Sequence, residues 1–569
     1  MAKSAGGKVK SATKAANGDN APVRMSAAAA LTETLLRNGI DTVYGLPGLH
    51  NDPLFDAFHP HQKSGRLSVV HTRHEQTAAY MALGAALATG KPQAFAVVPG
   101  PGFLNASAAL LQAYAMNAPV LGLVGQIPQG DIDRGFGHLH ELRDQLGVAG
   151  HMAKFTARIR TPHEAPAVTS RAIAEMLDGV PRPSVIECAM DVWGRSGAVQ
   201  LEPAVAHRRP PLDDDAVTAA AKLLGGAVRP LIVVGGGAQG ASAEITALAE
   251  MLEAPVAAFR RGHGIVSARH RLHANFPVSH RLWKTADVVL AIGTRLHFQQ
   301  ATWGLDKDIR IVRIDIDAET PDRFAKAAVA MVGDAQAYAR ALLDSLPAHN
   351  RKRTSREAEL AGHRAWLTER LSHFEPQMGF LQAMRRALPD DGIFVDEVTQ
   401  LGFAARLAFP VYHPRTYLSA GHQDSLGWGL GIALGAKRAM PDRAVLAIAG
   451  DGGIMYQIGD LATAVQHGIA VVVVLFDNGM FGNVRLIQDE FYGGRAIASD
   501  LKNPDFVQLA RSFGMAAFRA TSAADLERQV RMAFATNVPT LIHVPVGRMP
   551  SPWDMILMPP VRGGAVGQK

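Results

Sequence analysis

A chain of 569 residues exceeds the ~250–300 residues that one hydrophobic core can serve, so about three domains are expected. Apolar residues make up 48% and charged residues 19%, which excludes a disordered chain. No run approaches the ~18 apolar residues of a membrane span, so a soluble, cytoplasmic protein with no membrane partner is expected. The net charge is +7, but Lys3, Lys8, Lys10 and Lys14 lie in an Ala-, Gly- and Ser-rich opening segment. That segment reads as a disordered tail over 1–24, and nucleic acid is not an expected partner.

In chain order, a helical pattern from Met25 to Leu36 leads to strand-like runs at 42–44, 68–71, 94–98 and 120–124, separated by helical stretches at 76–88 and 105–115. Short apolar runs that end in glycine, proline or polar residues read as strands buried on both faces, hence a parallel sheet covered by helices. The single cysteine, Cys188, sits in the apolar run 185–190 and reads as a buried, inert thiol. A first domain over 25–190 is followed, after Pro203, by a second over 203–348. Its strands at 230–234, 286–292 and 311–316 run into Gly235-Gly236-Gly237 and Gly293-Thr294-Arg295. The charged stretch 350–364 reads as a linker. A third domain over 365–548 carries strands near Val395 and at 444–449 and 471–476, and a segment over 549–569 closes the chain. The fold class expected is α/β, with three doubly wound parallel-sheet domains.

The most informative stretch is the apolar strand that runs into Gly450-Asp451-Gly452-Gly453, followed by a helix expected over 454–467. A second strand ends in Asp477-Asn478-Gly479. A strand passing through glycines into a helix offers backbone N–H groups to an anion such as a diphosphate. A βαβ crossover would make the two strands neighbours, so Asp451 and Asn478 would project oxygen ligands from one sheet edge. One Asp, one Asn and a carbonyl suit Mg²⁺. The competing reading is a pair of tight turns without a ligand.

This segment resembles the thiamine diphosphate (ThDP) motif, which opens with Gly-Asp-Gly and closes with Asn just under thirty residues later. The resemblance implies Mg²⁺ ligands Asp451, Asn478 and the Met480 carbonyl, with Gly450, Gly452, Gly453, Phe481 and Gly482 around the diphosphate. It also assigns the three domains as pyrimidine-binding, central and diphosphate-binding. His74-Glu75-Gln76-Thr77-Ala78-Ala79 is similar to the family's signature for the glutamate that drives the aminopyrimidine into its imino form, so Glu75 is the expected catalytic carboxylate. The competing reading is that Glu75 only complements a helix dipole. Ser425-Leu426-Gly427-Trp428-Gly429 stands where relatives carry the apolar wedge that folds the cofactor, and Leu426 is the candidate.

Further matching pieces include Gly45-Leu46-Pro47-Gly48, Pro99-Gly100-Pro101-Gly102 with Asn105, and Gly125-Gln126-Ile127-Pro128. With them the chain resembles the acetolactate synthase large subunit. The resemblance implies at least a homodimer, and a homotetramer as the common form, with Glu75 reaching the ThDP of the partner subunit. Gln126, His50 and His74 are further catalytic candidates. The polar stretch His422-Gln423-Asp424-Ser425 departs from the family and suggests a changed substrate, with Asp424 bringing negative charge near the pyrimidine ring. The glycine turns of the central domain can hold FAD or the ADP part of a coenzyme A, or can simply close turns. The terminal 550–562 segment is expected over the active-site entrance, with Arg562 meeting an anionic substrate. Three functions follow: ThDP- and Mg²⁺-dependent decarboxylation and carboligation of a 2-oxo acid, acetolactate synthase-like; decarboxylation or lysis of an aromatic 2-oxo acid or acyl-CoA; or a non-catalytic regulatory protein of the same fold.

Overall fold

Three six-stranded sheets, every neighbouring pair of strands parallel, organise the chain. The computed structural model describes residues 21–206 and 210–563; most of the basic opening segment and the last six residues lie outside these. The first sheet runs Ser68–His71, Thr42–Gly45, Gln93–Val97, Val120–Gln126, Ser184–Ala189, Phe155–Ile159. The third runs Tyr417–Leu418, Ile393–Val395, Val445–Gly450, Val472–Asp477, Thr540–Pro545, Ala516–Arg519. Counting strands within each domain, both have the order 2-1-3-4-6-5. The central sheet has the order 3-2-1-4-5-6, from His273–Ala274 at one edge to Val329–Val332 at the other, as in dinucleotide-binding folds. Runs such as Val472–Asp477 are apolar almost throughout because helices cover both faces.

The first and third domains share one hydrophobic core. The helix Glu75–Thr89 is buried at every position from Thr77 to Ala88; a helix apolar all round needs cover all round. Its free side is covered by Gly429–Ala439 of the third domain. A Cβ on Gly84 would stand 2.2 Å from the Ile432 carbonyl oxygen, and one on Gly435 would stand 2.0 Å from that of Met81. The two backbones therefore touch at glycine. Gly435→Ala should destabilise the fold by about 1–3 kcal/mol through overpacking; an unchanged thermal unfolding midpoint would show that the two helices do not pack this tightly.

The structure differs from the sequence expectations at several places. Regular structure begins earlier, with the strand Val23–Ser26, which pairs antiparallel with Ser196–Val199 beyond the expected end of the first domain. The stretch read as a linker holds the helix Glu357–Leu371, whose Leu360, Leu367 and Leu371 pack into the core of the central domain. Three apolar residues at helical spacing suffice to seat it among its charges. The helix expected over 454–467 is broken into Asp451–Ile454, a 3-10 turn Ile458–Asp460, and Leu461–Gln466. The Asp460 carboxylate at the break accepts from Arg73 N (2.7 Å) and the Thr77 hydroxyl (2.6 Å), tying the third domain to the start of the Glu75 helix.

Candidate active site

Strands Val445–Gly450 and Val472–Asp477 are adjacent, with Gly450 opposite Phe476. Asp451 and Asn478 therefore leave the same edge of the sheet, beside a cavity of about 230 Å³. Its walls include the candidates Leu426, Gly450, Asp451, Gly452, Gly453, Asn478, Met480, Phe481 and Gly482. Sequence reading missed the opposite wall, Val398, Thr399 and Gln400, at the start of the helix Gln400–Ala408. It also missed Asn503, whose amide donates to Asp451 Oδ2 (2.7 Å) and Asp477 Oδ1 (2.8 Å), while His543 Nε2 lies 3.0 Å from Asp477 Oδ2. Burial, with the Asp477 charge close by, raises the Asp451 carboxyl above its usual range.

The carboxyl edge of the first sheet carries the other group of candidates. Glu75 opens its helix and accepts from Asn105 Nδ2 at 3.0 Å. His74 is the N-cap of that helix, its Nδ1 accepting from Gln76 N at 3.1 Å. Pro99 leads to Gly100, whose φ of +56° and the His140 carbonyl oxygen 2.4 Å from an added Cβ both require glycine there. His50 is buried and stacks on His140, ring centroids 5.0 Å apart at 20°, and Nδ1 of each ring is buried without a partner among the described residues. Burial, then the charge of His140, holds His50 below the usual histidine value.

Gln126, a catalytic candidate, is buried: its Nε2 donates to Glu187 (3.2 Å) and its Oε1 accepts from Ile127 N (2.8 Å). Glu187 also accepts from Gln145 (2.8 Å), whose Oε1 in turn accepts from Gly100 N (3.1 Å). Arg158 supplies the positive charge that makes this buried acceptor tenable, at 2.5 Å. Gln126 thus belongs to a network that supports the Gly100 turn. Arg562 is a correction: its guanidinium donates to the carbonyls of Trp283 and Ala286 and pairs with Asp306 at 2.8 Å, joining the chain end to the central domain. The segment before it does reach the cavity rim, where Met549 lines the wall and Trp553 Nε1 donates to Asn483 at 2.7 Å. Asp424 is a second: Arg406 and Arg260 neutralise it.

Family models for the thiamine pyrophosphate enzymes match all three domains: the N-terminal TPP-binding domain at 25–148, the central domain at 217–342 and the C-terminal TPP-binding domain at 397–544. The chain belongs to this family. Its relatives include "Probable 2-ketoarginine decarboxylase AruI" of Pseudomonas aeruginosa, 33% identical over 91% of this chain and 94% of the relative. An acetolactate synthase large subunit of Parasynechococcus marenigrum is 32% identical over 96% and 91%. The acetolactate synthase isozyme 1 large subunit of Escherichia coli is 27% identical over 94% and 96%. The resemblance to acetolactate synthases is thereby borne out, and the protein is a ThDP-dependent enzyme. No helix among the described residues is long and apolar enough to cross a membrane.

The cavity fits the cofactor of this family. Two carboxylates, Asp451 and Asp477, share one amide, an arrangement a divalent cation would relieve, and the Asn478 side chain adds a hard oxygen donor. Val398, Leu426, Phe476 and Met549 supply apolar walls for a ring.

Glu397 is a further residue that sequence reading missed. It is fully buried, and its two oxygens accept from Gly427 N (3.2 Å) and Gly429 N (3.1 Å), on either side of Trp428. Burial pushes its carboxyl up to about 8. The unfolded chain titrates this group near 4.5, so its stabilising contribution is complete below that pH and is lost as pH rises through about 8. Wild type should therefore lose stability relative to Glu397→Gln between pH 5 and 9, measured as unfolding midpoints; parallel curves would remove this assignment.

The glycine turns of the central domain are accounted for within the chain. A Cβ on Gly235 would lie 2.4 Å from the Gly293 carbonyl oxygen, one on Gly237 2.9 Å from Gly293 Cα, and one on Gly236 3.0 Å from the Arg261 guanidinium. Arg261 donates to the Met116 carbonyl and Arg295 to that of Ala115 at 3.0 Å. Both guanidinium groups thus meet the negative end of the helix Pro101–Ala115. These contacts give no support to FAD or an ADP group there.

Proposed function

We propose that this enzyme decarboxylates a 2-oxo acid and releases the aldehyde, with Mg²⁺ and ThDP held by the third domain. Asp451, Asn478 and the Met480 carbonyl would ligate the metal, the Gly450–Gly453 turn would meet the diphosphate, and Leu426 would support the folded cofactor. The bound cofactor supplies an electron sink for the bond broken next to the carbonyl. Glu75 would hold and pass the proton of the aminopyrimidine, while the apolar walls keep water out.

The observation that carries the decarboxylase reading over carboligation is the stack of the buried His50 on the half-buried His140. Loss of CO₂ leaves a carbon that must gain a proton to become an aldehyde. An imidazole pair with two unpartnered ring nitrogens can deliver it, whereas a carboligase must keep that proton away until a second carbonyl adds. The likeness to a 2-ketoarginine decarboxylase points the same way.

The holoenzyme is to be incubated separately with pyruvate, benzoylformate, oxalyl-CoA and 5-guanidino-2-oxopentanoate, following CO₂, aldehyde and acetolactate. CO₂ matched by aldehyde from one 2-oxo acid is expected; acetolactate from pyruvate without aldehyde would replace this reading by the synthase one. His50→Ala should lower turnover about 100-fold. Since His50 gives up a proton from its protonated form and titrates below its ordinary 6.5, wild-type turnover should fall as pH rises through a value below 6.5, and this limb should vanish in the variant.

Two subunits are needed for this site. Among the described residues, none of the first domain lines the cavity. Exposed apolar side chains ring both halves: Leu49, Leu104, Phe136 and Leu139 on the first domain, Tyr456, Ile487, Phe491 and Tyr492 on the third. Their burial against a second copy, with Glu75 facing the partner's cofactor, makes a dimer the minimum and a tetramer the expected form. A monomer by sedimentation at micromolar concentration would contradict this.

A further inference from the structure

We propose that Arg260, Arg406 and Asp424 form an ion cluster through which the central domain positions Leu426 against the cofactor. This rests on the reading of Leu426 as the support of the folded cofactor. Asp424 has φ +44° and Arg260 φ +50°, left-handed conformations that non-glycine residues adopt only when their surroundings hold them. Those surroundings are mutual. Asp424 accepts from Arg406 at Oδ1 (2.8 Å) and Oδ2 (3.2 Å) and from Arg260 at Oδ2 (3.0 Å). Arg260 also donates to the Gly421 carbonyl, so one side chain of the central domain grips both ends of the polar stretch 421–424. The remaining Nε–H of Arg406 donates to Asp396 Oδ2 at 3.0 Å, which also accepts from the Tyr417 hydroxyl at 3.1 Å. Two guanidinium groups and two carboxylates balance in charge, as buried ions must.

The far side of Leu426 is held by other contacts of the third domain. Gly427 N and Gly429 N donate to Glu397, and Trp428 Nε1 donates to the Asp396 carbonyl at 2.9 Å. Gly427 has φ +76°, and the Tyr456 side chain fills the place of its missing Cβ. Only Ser425 and Leu426 span the gap between the two anchors, and Leu426 faces the cavity. The polar residues that interrupt the family pattern are thus a brace. The central domain contributes to cofactor binding through Arg260, at a distance from its own glycine turns.

Calorimetric titration of the apo chain with ThDP in Mg²⁺ tests this, beside thermal unfolding of the same apo samples. Arg260→Gln and Asp424→Asn should each raise the ThDP dissociation constant about tenfold, and the double variant should be no worse than either single. The unfolding midpoint of apo Arg260→Gln should stay near wild type, because Arg406 still pairs with Asp396 and Asp424. Unchanged ThDP affinity in both single variants, additive losses in the double variant, or a fall in midpoint with affinity retained would each overturn the proposal. Leu426→Ala separates the underlying reading: if it leaves ThDP affinity and turnover intact, Leu426 is not the support, whatever the ion cluster does.

Discussion

Glu75→Gln is expected to lower turnover by ~10²–10⁴-fold, the range for removing a positioned acid–base group, while ThDP still binds with near wild-type affinity. Glu75 starts a helix that is buried from Thr77 onward and wedged between two domains, so its backbone is as fixed as the core itself. Its carboxylate is not consumed by structure: Asn105 donates to Oε2, and no ion pair engages it among the described residues. Glutamine keeps the size and the helix and removes only the ability to hold a proton. Steady-state turnover together with calorimetric ThDP titration checks this. Retained turnover refutes the catalytic role, and lost ThDP affinity turns it into a binding role.

Asp451→Asn is expected to weaken metal-dependent ThDP binding by more than the ~10–100-fold typical of removing even an outer partner of a metal ligand. The same change should leave the apo protein as stable as wild type or more so. The reason is electrostatic: without a cation, Asp451 is a buried carboxylate facing Asp477 across a single Asn503 amide, and its carboxyl is raised accordingly. Neutralising it relieves the folded apo state while removing a hard anionic ligand, so stability and binding should move in opposite directions. Unfolding midpoints with chelator and with Mg²⁺ plus ThDP measure both. A variant that keeps the stabilisation by Mg²⁺ and ThDP would show that the metal is held elsewhere.

The substrate question sharpens around the first domain. Histidines at 50 and 140 are ninety residues apart in the chain and meet only because the loops after Thr42–Gly45 and Val120–Gln126, two strands with Gln93–Val97 between them, leave the same edge of one sheet. The polar stretch near Leu426, at first the natural place to seek a changed substrate, is occupied with holding that loop.

The sequence by itself determined the three parallel-sheet domains, the pairing of Asp451 with Asn478 at one edge, and the place of Glu75 at a helix start. All of these rest on local signals: apolar runs of strand length, glycines where a strand turns into a helix, an Ala-rich helix behind a glutamate. It also carried the family, because those local signals recur together at the right separations. Only the tertiary structure decided the roles of charged and polar side chains whose partners lie far along the chain. Asp424 meets Arg260 across 164 residues, Gln126 meets Glu187 across 61, and Arg562 reaches Trp283 across 279. A buried polar group takes whatever partner the fold brings within about 3 Å, and no periodicity in the sequence encodes which one that will be.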